Sequence, residues 1–268
     1  MLRFTKAHAY GNDFLYVSSG DLSSTMPLDE LARELCHRQT GVGADGLIVY
    51  EVTTDGASMR LFNADGGRAE VSGNGVRALA ALLLRNDDRP GLDVVVRTEG
   101  GIKRLVRTGR DRSRQTFRAD MGLPAELRLM RAVSAGGEVF DLAVMNFGNP
   151  QCVVLGPLPD EDRFRRLGPA LERHSLFPEG SNVEFAHIDA PDRVRILIWE
   201  RGVGATLSSG TGSCAALIAA AAFGGAARSA DVAAPGGTQR VEWRDEGVYL
   251  TGWAEVLFDG VWLRPASA

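Results

Sequence analysis

The glycine-rich clusters of this 268-residue sequence fall into pairs 137 positions apart. Gly11-Asn12 pairs with Gly148-Asn149, Gly43 with Gly180, and Asp45 with Asn182. Ser72-Gly73-x-Gly75 likewise pairs with Ser209-Gly210-x-Gly212, and Val76–Leu82 follows the first as Ser213–Ala219 follows the second. Glycine is abundant here, 32 residues against about 7% in an ordinary chain, yet chance does not place four matches in one register. The spacing reads as an internal duplication with halves 1–118 and 119–261, and 262–268 is expected to return as a strand to the first half. Whatever fold one half adopts, the other must adopt too.

Each half alternates strand and helix signals. Strands are expected over 3–4, 14–17, 47–52, 59–62 and 94–98, and in the second half over 139–145, 152–155, 183–187, 193–199 and 241–250. Leu28 to Arg38 has helical periodicity after Pro27, a suitable first-turn residue. Gly73–Arg85 and Gly210–Phe223 read as helices rich in Ala and Leu, and helices so apolar are buried. The expected class is α+β, two pseudo-symmetric domains, each a strand-rich unit around one central helix.

Composition removes several function classes. A net charge of −4 offers no basic surface for nucleic acid. Three scattered cysteines, Cys36, Cys152 and Cys214, make neither a disulfide framework nor a structural zinc site, and they fit a reducing cytoplasm. Met1 leads directly into charged and polar residues, so no signal peptide is expected. The most apolar stretch, Cys214–Phe223, is too short to span a bilayer. The four histidines share no metal-ligand spacing, so no metal is assigned.

The paired loops carry the chemistry. Ser-Gly-x-Gly at the start of a buried helix presents backbone N–H groups at the positive end of the helix dipole, which makes an anion site. Two such sites facing one cleft would hold a carboxylate and set Ser72 and Ser209 on opposite sides of one carbon, as inversion at Cα requires. Local sequence alone favours a plainer role for both serines, capping the helices they precede. Asn12, Asn63, Asn149 and Asn182 each fit turn chemistry singly, but their repeat-related placement favours ligand binding. Glu200-Arg201 precedes the second loop by the nine residues that separate Asn63 from Ser72. It reads either as a surface ion pair or as an arginine that grips a substrate carboxylate bidentately.

These residues resemble the diaminopimelate epimerases, which are cofactor-independent amino-acid isomerases. The resemblance rests on Phe4–Phe14, Arg38–Leu47, Phe62–Gly66, Gly73–Arg77, Gly148–Pro150, Gly180–Val183, Glu200–Gly204 and Gly210–Gly212. It implies β-barrel-like domains around central helices and a small amino-acid substrate such as LL- or meso-diaminopimelate in the cleft between them. It also implies no cofactor, and pairing as a homodimer. Asn12, Asn63, Asn149, Asn182 and Arg201 would hold the far end of the substrate, with Glu200 near the reacting amino group. The backbones of Gly73-Asn74 and Gly210-Thr211 would cradle its carboxylate. In the family a cysteine precedes each Gly-x-Gly loop and the thiol pair moves the protons; here both positions are serine. The family's histidine after Gly-Asn-Pro is Gln151, and its glutamate after Gly-Val-Gly is Ala205. A serine hydroxyl is far less acidic than a thiol and needs an adjacent base. Three readings stay open at this stage. They are a family isomerase with its thiols replaced, a diverged relative doing other proton chemistry with Glu200 as base, and a protein that only binds an amino acid.

Overall fold

The computed structural model of the protein describes residues 1–22, 27–89 and 91–263. Beyond Leu263, the strand expected over 262–268 lies outside the described residues. The chain divides into two compact units. Met1–Ala119 and the chain from Trp253 onward form the first, and Asp120–Gly252 the second.

The first unit contains β1 (Leu2–Ala9), β2 (Asn12–Ser18), α1 (Leu28–Cys36), β3 (Gly46–Thr53), β4 (Gly56–Asn63), β5 (Arg68–Ala69), α2 (Gly73–Leu83), β6 (Asp93–Thr98), β7 (Gly101–Asp111) and β8 (Arg114–Asp120). The second contains β9 (Ala125–Ala135), β10 (Glu138–Asn146), β11 (Pro150–Leu155), α3 (Glu161–Glu172), β12 (Asn182–Ala190), β13 (Arg193–Glu200), β14 (Gly204–Thr206), α4 (Gly210–Phe223), β15 (Ser229–Ala234) and β16 (Gly237–Trp243). The long β17 (Val248–Trp262) begins in the second unit and ends in the first, where it pairs with β1 from Leu2↔Trp262 to His8↔Glu255. In the first unit β2 runs parallel to β3 and β4 parallel to β6, with antiparallel neighbours between. A β8–β17 pairing closes the ring. The second unit repeats the order: β11 is parallel to β12, β13 to β15, and β9 pairs with β10 as β17 does with β1. The class is α+β, as expected.

Alternation of side chains gives every central strand two buried faces. Phe14 and Tyr16 of β2 pack with Val76, Leu79 and Ala80 of α2, whereas Leu15 and Val17 pack with Leu31 and Leu35 of α1. In the second unit Ala186, Ile196 and Ile198 meet Ala216, Leu217 and Ala220 of α4, and Val183 and Phe185 meet Phe164 and Leu167 of α3. Strands buried on both faces read as mostly apolar runs, as 47–52 and 183–187 do apart from Glu51, Glu184 and His187.

Three expectations need correction. The segment 241–250 is not one strand, because residues 244–247 turn the chain between β16 and β17. Helix α3 had no sequence-based counterpart; its apolar stripe of Phe164, Leu167 and Leu171 is interleaved with Arg163, Arg165 and Arg166 and interrupted by Pro169. The repeat offset is also not constant. Phe14 pairs with Gly46 and Gln151 with Asn182, while Ile48 pairs with Leu61 and Glu184 with Ile198. The offset is therefore 137 along β11 and β13 but 136 along β12, and the counterpart of Glu184 is Ile48.

Leu217 is fully buried in the α4 core. Leu217→Ala is expected to lower stability by about 2–5 kcal/mol, read from urea unfolding with an unchanged slope.

Candidate functional site

In the first unit, Ser72 caps α2: its Oγ accepts from the Gly75 N–H at 3.1 Å. The cap fills the hydroxyl's acceptor side and leaves its hydrogen available to donate. The other first-turn N–H groups lack intrahelical acceptors, as at any helix start. Beneath this turn the Tyr16 hydroxyl donates to the Gly75 carbonyl at 2.8 Å. Arg77, 1% exposed, donates to Asn74 Oδ1 at 3.1 Å. Asn74 Nδ2 in turn reaches Asn12 Oδ1 at 3.4 Å.

Asn12 is itself held by charge. Its Nδ2 donates to Asp45 Oδ2 at 2.8 Å, and Arg38 bridges Asp45 and Asp13 at 2.7 and 2.9 Å. Lys6 completes the group with an ion pair to Asp13 at 2.9 Å and a bond to the Gly43 carbonyl. Burial pushes the Asp13 carboxyl upward, but the hydrogen bonds from Arg38 and Lys6 outweigh it and hold the group below the ordinary aspartate range. Asn12, Ser72, Gly73 and Asn74 thus come together. Asn63 ends β4 opposite Gly46, and its N–H donates to the Gly67 carbonyl.

The second unit repeats the cap. Ser209 Oγ accepts from the Gly212 N–H at 3.2 Å, and the Ser209 carbonyl accepts from Ser213 Oγ at 2.7 Å. Gln239 Nε2 lies within 3.4 Å of the same carbonyl. The fully buried Gln151 donates from Nε2 to Asn149 Oδ1 at 2.7 Å and to Thr211 Oγ1 at 3.3 Å. Asn149 and the loop are thereby tied together. Asn182 Oδ1 accepts from the Arg201 N–H at 2.9 Å, and the guanidinium donates to the Glu179 carbonyl at 3.1 Å. Its stem packs over Gly180, whose φ of +78° strains any other residue and where a Cβ would lie 3.1 Å from Arg201 Cδ. Glu200 ends β13 beside Arg201. Among the described residues no group of three or more His, Cys, Asp or Glu side chains is arranged to hold a metal.

Two polar residues of this unit were missed as site residues. Gln151 had been noted only as a departure. Glu184 has no exposed surface, and both its carboxyl oxygens lack a hydrogen-bond partner among the described residues. A side chain on Gly212 would set its Cβ 2.6 Å from Glu184 Oε1, so the carboxyl lies against the first turn of α4. Burial pushes the Glu184 carboxyl well above the ordinary glutamate range, and the charge on Glu200 pushes the same way. The signal in the sequence was a lone acid in the apolar run Val183-Glu-Phe-Ala186, where the repeat carries aliphatic residues.

The diaminopimelate epimerase family model matches residues 4–125 and 143–257. The chain belongs to the diaminopimelate epimerase family. It is 39% identical to the diaminopimelate epimerase of Desulforudis audaxviator, over 98% of this chain and all of that one. It is 36% identical to that of Desulfitobacterium hafniense, over 99% of each. A hydroxyproline epimerase from Agrobacterium vitis, 15% identical, shares the fold with a TM-score of 0.72 over 97% of this chain and 91% of that one. No helix among the described residues is long and apolar enough to cross a membrane.

Two outcomes test these local arrangements. Ser72→Ala and Ser209→Ala should each lower stability by about 1 kcal/mol through loss of the cap, measured by urea unfolding. Because folding depresses the Asp13 pKa, its contribution is present above the unfolded value of 3.8 and lost as pH falls through the folded one. Asp13→Asn should therefore destabilise the protein at neutral pH and flatten the acid limb of an unfolding-midpoint profile.

Proposed function

We propose that the protein is an isomerase that inverts the α-carbon of a diaminopimelate-type amino acid without pyridoxal phosphate. The observation that carries this reading is the duplicated serine-capped helix start in a chain whose family match covers both repeats. A helix N-terminus receives an α-carboxylate, and the same donors stabilise the enolate-like charge formed when the Cα proton leaves. Inversion needs one proton-transfer group for each face of the carbon, and the duplication supplies two, Ser72 and Ser209. The first-turn backbones of Gly73-Asn74 and Gly210-Thr211 take the carboxylate. Arg201 offers a guanidinium to a second, distal carboxylate, with Asn12, Asn63, Asn149 and Asn182 around the far end of the substrate. Glu200 supplies a carboxylate for the substrate ammonium group.

Serine sets the rate. A hydroxyl gives up its proton far less readily than a thiol of pKa about 8.5, so turnover is expected to be slow. Incubation with LL- and meso-diaminopimelate in deuterated water should show deuterium entering at Cα. Ser72→Cys combined with Ser209→Cys should raise that rate on the order of 10²–10⁴-fold. Calorimetric binding without exchange, in this protein and in the double variant alike, would sink the isomerase reading and leave a binding protein.

A further inference from the structure

The two copies differ most in what lies beneath the serine loop. In the first unit the position on β3 facing Gly75 is Ile48, and the buried charge there is Arg77 on α2. In the second unit the counterpart of Arg77 is Cys214, and the position facing Gly212 is Glu184. One half-site thus stands over a guanidinium and the other over a carboxyl group.

Glu184 has no structural task that explains it. It is fully buried, yet neither oxygen is hydrogen-bonded among the described residues. Its neighbours on β11 and β13 are Val153 and Ile198. The Glu200 carboxyl, from β13, acts on it electrostatically, and the Cys152 thiol of β11 lies across the sheet on the α3 side. Gln151, on the face of β11 that carries Val153, has an Oε1 that is likewise buried without a donor among the described residues. An aliphatic residue at this position, as in the first unit, would avoid the cost of burying an unpartnered acid.

Its placement points to the serine. A Cβ on Gly212 would lie 2.6 Å from Glu184 Oε1 and 3.1 Å from Ser209 Oγ. The two oxygens are therefore no further apart than the sum of these distances; no direct hydrogen bond joins them, and the span suits one bridging water. Gly212 is what lets them approach, since any side chain there would collide with the carboxyl.

We propose that Glu184 is the proton-holding partner of Ser209, a positioning residue that lets a hydroxyl do the work of a thiol in the second half-site. When Cα is protonated, Ser209 gives its hydroxyl hydrogen to the carbon while Glu184 passes its carboxyl hydrogen through the bridging water to Ser209 Oγ, ending as a carboxylate. In the reverse direction the carboxylate takes the hydroxyl hydrogen through the same water as Ser209 removes the hydrogen from Cα. Burial favours the protonated form of the resting group, the form the relay needs. The catalytic part of this inference rests on the isomerase reading; the Glu184–Ser209 link does not.

Two measurements test it separately. Infrared spectra at neutral pH should contain a carboxylic-acid C=O band that Glu184→Gln removes. With Ser209→Cys, that band should shift or vanish as the introduced thiol ionises, around pH 8.5. Absence of the band, or indifference to the thiolate, overturns the link whatever the protein catalyses. In deuterium exchange, Glu184→Gln should slow entry at Cα at least about 10²-fold with ligand affinity within a few-fold, and Glu184→Asp should recover part of the rate. Unchanged exchange in Glu184→Gln overturns the relay. If the protein itself shows no exchange, the isomerase reading fails, and the infrared result still decides whether Glu184 and Ser209 share a proton.

Discussion

Each unit depends on burying its central helix. Helix α4 holds no charged residue, and Cys214 through Ala220 are completely buried. Such a helix has no solvent face, so strands must surround it, and its first turn must be satisfied by other means. Ser72 and Ser209 do this with the Gly75 and Gly212 N–H groups. At α4 the same burial makes the helix start a place where an anion is stabilised and water is scarce. Packing and chemistry there share one origin. The outer helices α1 and α3 cover the second face of the strands.

Duplication supplies two equivalent starts, and substitution has made them unequal. Beneath the first loop, Arg77 orders Asn74, and through it Asn12, within a network of four charged residues. Beneath the second, Gln151 orders Asn149 and Thr211, and Glu184 sets a buried carboxyl group against the turn. Matched loops thus stand over a guanidinium in one unit and a carboxyl group in the other.

Much of this was legible in the primary structure because glycine and alternation leave local marks. Ser-Gly-x-Gly before an Ala-rich run located both helix starts, and the apolar runs of β3 and β12 revealed strands covered on both sides. Helix α3 left a weaker mark, since its narrow stripe lies among arginines and its cap, Asp160, is a common surface residue. The turn at 244–247 was hidden by apolar residues on either side.

The sequence by itself determined that the chain is built from two copies of one unit, that each copy hides an apolar helix, and that serine stands at each helix start. It did so because repeats, periodicity and caps are short-range patterns. Only the tertiary structure decided that β12 is set one residue off the repeat, which turns Glu184 rather than its apolar neighbour Val183 toward α4. Strand register flips every side chain to the other face with a one-residue shift. It is fixed by pairing with β11 and β13, residues distant along the chain, so no local pattern could reveal which side chain of β12 lies beneath the first turn of α4.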